Sequence, residues 1–552
     1  MVSSLARWSR NGALLGRRDV LGAVALTAVP SALLSGCCPC HQQSNRKWNN
    51  ALNLSGVDPD QQAAPASLAE LVALIRKAES EGAGVRMTGS GHSFSDVAFS
   101  EGYLFSPFKL NRELPLDRES LRPELKNDPH LVRVESGVRL RELNPRLFKN
   151  GLALVNMGGY DAQTIVGAAM TGTHGSGLAY GPIASQIESI ELVTTGGAVL
   201  KVEPTRGITD PARFPKFLET PEGHVPAELI ADDETFHALA VSLGCMGIVY
   251  AVVLRAGPRF WLRESRTRST WGELRKPGGF LERLLRGQKL DAGTAADPDY
   301  YEIYVNPYPP RAGLSAATHR CVLTKRYKVF EEPPRLSQDD RRRGAYGSDA
   351  LLAAAQITGY GARLVEYMNR YPKNVPMVIE NSLRALEDAS YVDISYNVFN
   401  LGPANLIRAY GIELAFDIQQ TIEATERLFA IASELAKRNW MHSSPPSLRF
   451  VKRSPAHLAM MYGRDTMMLE MGMLTCAEGA DDLLTTYEKR FMAELGARPH
   501  WGLDLNVLDD FSQVRALYPP SADRWLAVYR RFNSKGTFNA KFTDRLGISV
   551  DG

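Results

Sequence analysis

The sequence predicts an α+β chain in two unlike parts, and three observations carry that expectation. Helix and strand patterns alternate over residues 64–257 around two glycine-rich loops. Beyond Gly257-Pro258, strands near 301–306 and 321–327 alternate with proline-rich turns and with helical stretches over 350–370 and 419–438, the latter amphipathic. The length of 552 residues exceeds one ordinary domain of about 150 residues. Hydrophobic residues at 44%, charged at 23% and aromatic at 9% are ordinary globular usage, which excludes a disordered, collagenous or multi-spanning membrane chain. The net charge of +3 is matched by residues 1–36 alone, where Arg7, Arg10, Arg17 and Arg18 face Asp19. The remainder is neutral and lacks the basic excess that nucleic-acid binding requires, so no nucleic acid is expected as a partner.

Residues 1–36 read as an export signal. Arg17 and Arg18 precede an apolar run over 20–34, too short to span a bilayer comfortably and broken by Pro30, in the manner of a twin-arginine leader. The run closes on Leu34-Ser35-Gly36-Cys37, a lipobox pattern. Cys37 is therefore the expected lipidation site, and the protein is expected on the periplasmic side of a bacterial membrane, anchored by lipid. A plain signal peptide with an incidental cysteine is the alternative. Cys37-Cys38-Pro39-Cys40-His41 also satisfies the pattern for c-type haem attachment, but no cytochrome-sized segment follows; the stretch 37–63 reads as a linker. Cys245, Cys321 and Cys476 are expected as buried apolar residues rather than a disulfide framework.

Ser67 and Glu70 form a capping box, and Leu68, Leu71, Val72, Ile75 and Ala78 recur at helical spacing up to Gly82. A short strand over 85–88 then enters Gly89-Ser90-Gly91-His92-Ser93-Phe94-Ser95-Asp96, whose small residues let backbone N–H groups close on an anionic group. The loop is neither a Walker loop nor a G-x-G-x-x-G fingerprint. Alone, it reads as readily as a turn with a hydrogen-bonded histidine. A strand over 131–135 and a helix over 140–150 follow. Then come Gly158-Gly159, Thr164-Ile165-Val166-Gly167 and Thr171-Gly172-Thr173-His174-Gly175-Ser176-Gly177. Two histidine-containing glycine loops, separated by one α/β unit, suit opposite sides of one long phosphorylated cofactor.

With these motifs the chain resembles the flavoproteins of the vanillyl-alcohol oxidase superfamily, most closely their sugar-lactone and alditol oxidases. The resemblance runs from Ala64 to Gly547 through the two loops and Leu243-Gly244-Cys245-Met246-Gly247-Ile248-Val249. It continues through the strand over 410–416, Met461-Tyr462-Gly463-Arg464-Asp465, Arg498-Pro499-His500-Trp501-Gly502, and residues 533–539. It implies a PCMH-type two-subdomain FAD-binding domain over 64–257 and an α+β substrate (cap) domain with a large antiparallel sheet over 258–495. A C-terminal segment over 496–552 would fold back onto the flavin domain. FAD is the implied cofactor, attached through its 8α carbon to His92, which suits an imidazole nitrogen that is neutral at pH 7. Gly89, Ser90, Gly91 and Ser93 would hold the pyrophosphate. Phe94, Thr164, Gly172, Thr173, His174, Ser176, Gly177 and Ile248 would line the rest. The charged stretch 339–343 reads as a solvated loop.

The implied activity is oxidation of a CH–OH group of a sugar lactone, alditol or related alcohol by hydride transfer to flavin, with oxygen or a respiratory acceptor taking the electrons. No metal site is expected. The cap departs from the family at two places. Relatives carry a Glu-x-Arg pair where this chain has Ser447-Leu448-Arg449, so Arg449 is kept to polarise the reacting oxygen and the carboxylate is lost. Leu503 stands where relatives usually have lysine. A base within hydrogen-bond reach of the substrate hydroxyl is still needed. His500 is the first candidate, followed by Glu413 and Glu470, carboxylates of a kind that burial tunes. Structural roles are the alternatives: His500 packing beside Trp501, Glu413 paired with an arginine. The losses also leave open a bulkier, less polar alcohol as substrate, or a flavin-binding electron relay without turnover.

Overall fold

The computed structural model describes residues 46–551 except 292–295, 312, 335–359, 388–389, 401–407 and 506. The leader, Cys37 with its neighbouring cysteines, and the charged stretch 339–343 lie outside the described residues. Among the described residues no helix is long and apolar enough to cross a membrane.

The helix Leu68–Ser80 starts where Ser67 Oγ accepts the Glu70 N–H at 3.1 Å, while the Glu70 carboxylate accepts from Ala66 N at 2.8 Å. The capping box thus closes one residue further out than the sequence pattern places it. The buried stripe Leu68, Leu71, Ile75 and Ala78 shares a core with a parallel three-stranded sheet, ordered Gln61–Ala63, Tyr103–Phe105, Val85–Met87. Gln61–Ala63 and a small hairpin, Trp48–Asn49 against Gly56–Val57, fall inside the stretch read as linker. Trp48 packs there on Val57, Phe99 and Leu104, an anchorage too small to register in composition.

The second flavin-side layer is a six-stranded sheet ordered Glu228–Ala231, Val199–Glu203, Ile187–Val193, Ile248–Arg255, Leu131–Glu135, Glu113–Leu114. Ile248–Arg255 is buried at all but its last residue, so an almost unbroken apolar run is what this position requires. Leu131–Glu135 and Leu140–Lys149 fall where periodicity places a strand and a helix.

The cap is one eight-stranded sheet, antiparallel at every pairing, ordered Ser390–Ile394, Trp261–Thr270, Arg320–Val329, Tyr300–Val305, Ser447–Val451, Thr466–Leu474, Ala409–Asp417, Arg498–Pro499. Its two faces are chemically opposite. Ile303, Leu323, Leu414, Leu448 and Leu469 share an apolar core with Leu428 of the helix Thr421–Leu435 and Phe491 of Ala480–Leu495. The alternate positions, among them Glu302, Glu413, Arg449 and Glu470, face the flavin-side layers. After Arg498–Pro499 the chain leaves the sheet edge, and the helix Ser521–Phe532 packs into the flavin-side core, Trp525 Nε1 donating to Val241 O at 3.0 Å. Cys245 and Cys321 are buried free thiols, as expected. Cys476 is instead half-buried and disulfide-bonded, which corrects its reading as a buried apolar thiol.

Candidate active site

The first half of the site is a cleft between the two glycine loops. Val85–Met87 leads into residues 89–96, and the helix Ile165–Met170 begins opposite, capped by Thr164, whose Oγ1 accepts the Gly167 N–H at 3.2 Å. A Cβ on Gly89 would come within 3.0 Å of that Oγ1 and one on Gly167 within 2.8 Å, so glycine at both positions is what lets the loops approach. Gly91 has φ +73°, which glycine adopts without strain. Gly89, Ser90, Gly91, His92 and Ser93 line the cleft, with Thr164, Thr173 and Ile248 across from them.

Arg86, three residues ahead of the loop, also lines the cleft, and sequence reasoning missed it. It is 1% exposed; its Nη1 donates to Leu243 O at 3.0 Å and to Cys245 Sγ at 3.2 Å, and Nε and Nη2 find no partner among the described residues. A buried guanidinium held only by uncharged groups is costly unless an anion joins it. Together with the small-residue walls, it fits the pyrophosphate of FAD. Arg86→Met is therefore expected to lower the flavin content of the purified protein several-fold, measured as flavin absorbance per polypeptide.

At one end of the cleft the His92 ring lies 3.7 Å, centroid to centroid, from Tyr160. Burial pushes the His92 pKa down to about 4, so the ring is neutral at pH 7 and keeps one unprotonated nitrogen. Tyr160 carried no sequence signal.

The second half hangs from the charged face of the cap. Register sets Glu302 opposite Arg449, and both Ser447 and Glu413 opposite Glu470. Arg449 is the hub: Nε donates to Glu302 Oε1 at 2.9 Å, Nη2 lies 2.8 Å from Glu470 Oε2, and Nη1 lies 3.8 Å from Glu413 Oε1. Glu302 also meets Arg326 at 3.6 Å, and Arg326 meets Glu264 at 2.6 Å, so the charges continue inward in alternating sign.

His174 reaches this face from the second loop. Its Nδ1 donates to Gly175 O at 2.8 Å and its Nε2 to Glu413 Oε2 at 3.0 Å. Carbonyl and carboxylate oxygens only accept, so both ring nitrogens carry protons and His174 is an imidazolium. Burial opposes that charge, but the adjacent Glu413 carboxylate outweighs it and raises the His174 pKa. Burial likewise opposes the Glu413 charge, and His174 and Arg449 hold Glu413 well below the ordinary carboxylate range.

His500 differs. Its Nδ1 accepts the Gly502 N–H at 3.0 Å, and burial pushes its pKa down to about 4. It is neutral, with its proton on Nε2 and its unprotonated nitrogen already held by a backbone N–H, so it is not free to act as the base expected from sequence. Glu413 is a weak base, because His174 and Arg449 hold its pKa well below the ordinary carboxylate range. Glu470 moves the other way: desolvation inside the narrow cavity and the charges of Glu413 and Glu302 raise its pKa against the pull of Arg449. Its side chain is 39% exposed, leaving it open to the cavity.

Phe94, His174, Glu413, Arg449 and His500 line this second cavity together, with Glu470 and Leu503. Three expected cofactor residues lie elsewhere. Ser176 Oγ accepts from Phe450 N at 3.1 Å, and Gly177 N donates to Phe450 O at 2.6 Å, so both stitch the loop to the cap. Gly172, at φ +78°, turns the chain against Met460. A glycine run alone does not reveal which of its residues face a cleft and which face a neighbouring layer.

A long cleft walled by glycine loops and a buried arginine, meeting a charged cavity under a cap sheet, suits a flavin-dependent oxidoreductase. Residues 59–203 match the family model of the FAD binding domain, and residues 288–546 match that of D-arabinono-1,4-lactone oxidase. The chain is similar to FAD-dependent sugar-lactone oxidases and dehydrogenases along most of its length and is an FAD-linked oxidoreductase acting on CH–OH donors. It is 26% identical over 499 residues to the L-gulono-1,4-lactone dehydrogenase of Mycobacterium tuberculosis, covering 90% of this chain and 98% of that one. It is 24% identical over 514 residues to the L-gulonolactone oxidase of Bos taurus, covering 92% and 99%. The crystal structure of cholesterol oxidase from B. sterolicum shares the fold, with a TM-score of 0.64 and 14% identity over 88% of this chain and 93% of that one.

Proposed function

We propose that this protein oxidises a CH–OH carbon of a sugar-1,4-lactone, using FAD attached through His92, and passes the electrons to oxygen or a respiratory acceptor. One observation carries the substrate class. Glu470, 2.8 Å from Arg449 and accepting from Ser447 Oγ at 3.2 Å, supplies from the next strand the carboxylate that Ser447 removes. A cavity with this much paired charge supports a hydroxylated substrate over a bulkier, less polar alcohol. The names of the full-length relatives support the lactone.

Bound FAD supplies the hydride acceptor. Arg449 holds the substrate oxygen and stabilises negative charge developing there. Glu470, whose raised pKa suits it to proton transfer, takes the hydroxyl proton. His500 Nε2–H donates a hydrogen bond to the bound substrate, and the His174–Glu413 pair keeps the cavity wall fixed. The paired arginines and lipobox ahead of residue 37 support export and a lipid anchor, which would bring a membrane-borne acceptor within reach.

The test is anaerobic mixing of the purified protein with L-gulono-1,4-lactone, read at the absorbance of oxidised flavin, followed by a denaturing gel viewed for flavin fluorescence. Bleaching by the lactone and not by a sterol is expected, with band fluorescence that His92→Ala abolishes. A dark parent band overturns covalent attachment. Flavin that stays oxidised with every lactone and alditol overturns the substrate class.

A further inference from the structure

We propose that residues 48–57 form a clasp fastened over the His92 loop, and that Leu52 at its tip limits the length of substrate that reaches Arg449. The substrate class rests on the proposed function above; the clasp itself does not.

Three contacts fasten it. Ala51 N donates to Gly91 O at 2.7 Å, and Asn50 Nδ2 donates to Ser93 O at 3.3 Å, so the bonds flank His92 on both sides. The Trp48 ring lies so close to Gly91 that a Cβ there would come within 3.3 Å of its Cζ2. The clasp also holds its own shape. Asn50, 4% exposed, accepts at Oδ1 from Leu54 N at 2.9 Å, its N–H donates to Ser55 O at 2.9 Å, and Asn53 turns the chain at φ 58°. That rigid turn carries Leu52 to the substrate cavity, where it stands in the wall with His92, Tyr160, Tyr410 and Glu470.

The chemistry of that wall is divided. Arg449, Glu470, Glu413, His174 and His500 are polar, whereas Leu52, Phe94 and Leu503 are apolar. A polyol ring satisfies the polar groups, but extra hydroxymethyl groups extending onto Leu52 meet a hydrocarbon side chain that fills space and offers them no hydrogen bond. The side chain therefore selects by length as well as by contact.

The experiment compares Leu52→Ala with the wild-type holoenzyme on 1,4-lactones of five, six and seven carbons. The ratio of kcat/KM for the six-carbon over the five-carbon lactone is expected to rise about tenfold, chiefly through KM, since fitting one more carbon is worth at least about that factor. Leu52→Phe is expected to lower it, which guards against a loss caused only by misfolding. An unchanged ratio in both variants overturns the role of Leu52. A second readout needs no turnover: Asn50→Ala is expected to raise iodide quenching of bound-flavin fluorescence about twofold by loosening the clasp. Unchanged quenching overturns the clasp. If no lactone reduces the wild-type flavin, the proposed function and the size role of Leu52 fail together, while the quenching result still decides whether the clasp exists.

Discussion

Arg449→Met is expected to slow anaerobic flavin reduction by about 10²- to 10³-fold, the usual cost of removing one donor aimed at developing negative charge. It is also expected to cost about 3–5 kcal/mol of stability, because breaking a buried ion network leaves charges uncompensated. Without the guanidinium, Glu302, Glu413 and Glu470 would crowd one sheet face around an apolar side chain. At least one would have to take up a proton, and Glu470, whose pKa is already raised, is the first to do so. Proton acceptance and oxygen binding would thus fail together. Arg449→Lys should recover more stability than rate, since an ammonium restores charge but not the fork that reaches three carboxylates. Stopped-flow reduction and thermal melting at pH 7 check both parts; a reduction rate within twofold of wild type would place the oxygen-binding role elsewhere.

His174→Ala is the second large effect expected, again about 3–5 kcal/mol, because Glu413 would be left as a buried carboxylate with Arg449 at 3.8 Å as its nearest cation. Glu413→Gln should cost far less. With the carboxylate gone, His174 becomes neutral, keeps Nδ1–H on Gly175 O, and accepts the glutamine amide at Nε2. The pair also sets a pH dependence whose sign follows from the two shifts. Glu413 is depressed, so its contribution is present above the ordinary carboxylate range and fades as pH falls through the lowered value. His174 is raised, so its contribution is present below the ordinary imidazole value and fades as pH rises through the raised one. Melting of the holoenzyme across acid pH should therefore be flatter in Glu413→Gln than in wild type. Equal slopes in the two proteins would contradict the ion pair.

Much of the flavin side was legible because its signals are local. Capping, a strand entering a glycine loop, and the 131–150 strand–helix pattern each lie within a few residues of one another, and the fold keeps them almost where periodicity puts them. The cap site was legible only in part. Arg449, Glu413 and His500 stand out as residue types, but their protonation states come from partners hundreds of residues away in some cases. Glu302 meets Arg449 only through strand register, and His174 meets Glu413 only when one loop is pressed onto the cap. For that reason the base we propose is Glu470, whereas the residue types alone favour His500. Arg86 was invisible for a related cause: a single arginine on a short strand reads as a solvent-facing residue until the strand is seen to be covered. Leu52 and Trp48 were hidden by a polar, linker-like composition that says nothing about two small strands held by one tryptophan.

The segregation of charge and hydrocarbon onto opposite faces of the cap sheet also constrains how the chain can misfold. Sliding one strand by a single residue reverses every side chain on it. A slipped Ser447–Val451 would drive Arg449 into the leucines that pack on the helices and lift Leu448 and Phe450 into the carboxylates. Both errors are penalised at once, so wrong alignments of the central strands are poor competitors during assembly. The groups that carry the chemistry thereby proofread the alignment of the strands that hold them. Variants that neutralise several of these charges should lose alignment fidelity as well as activity.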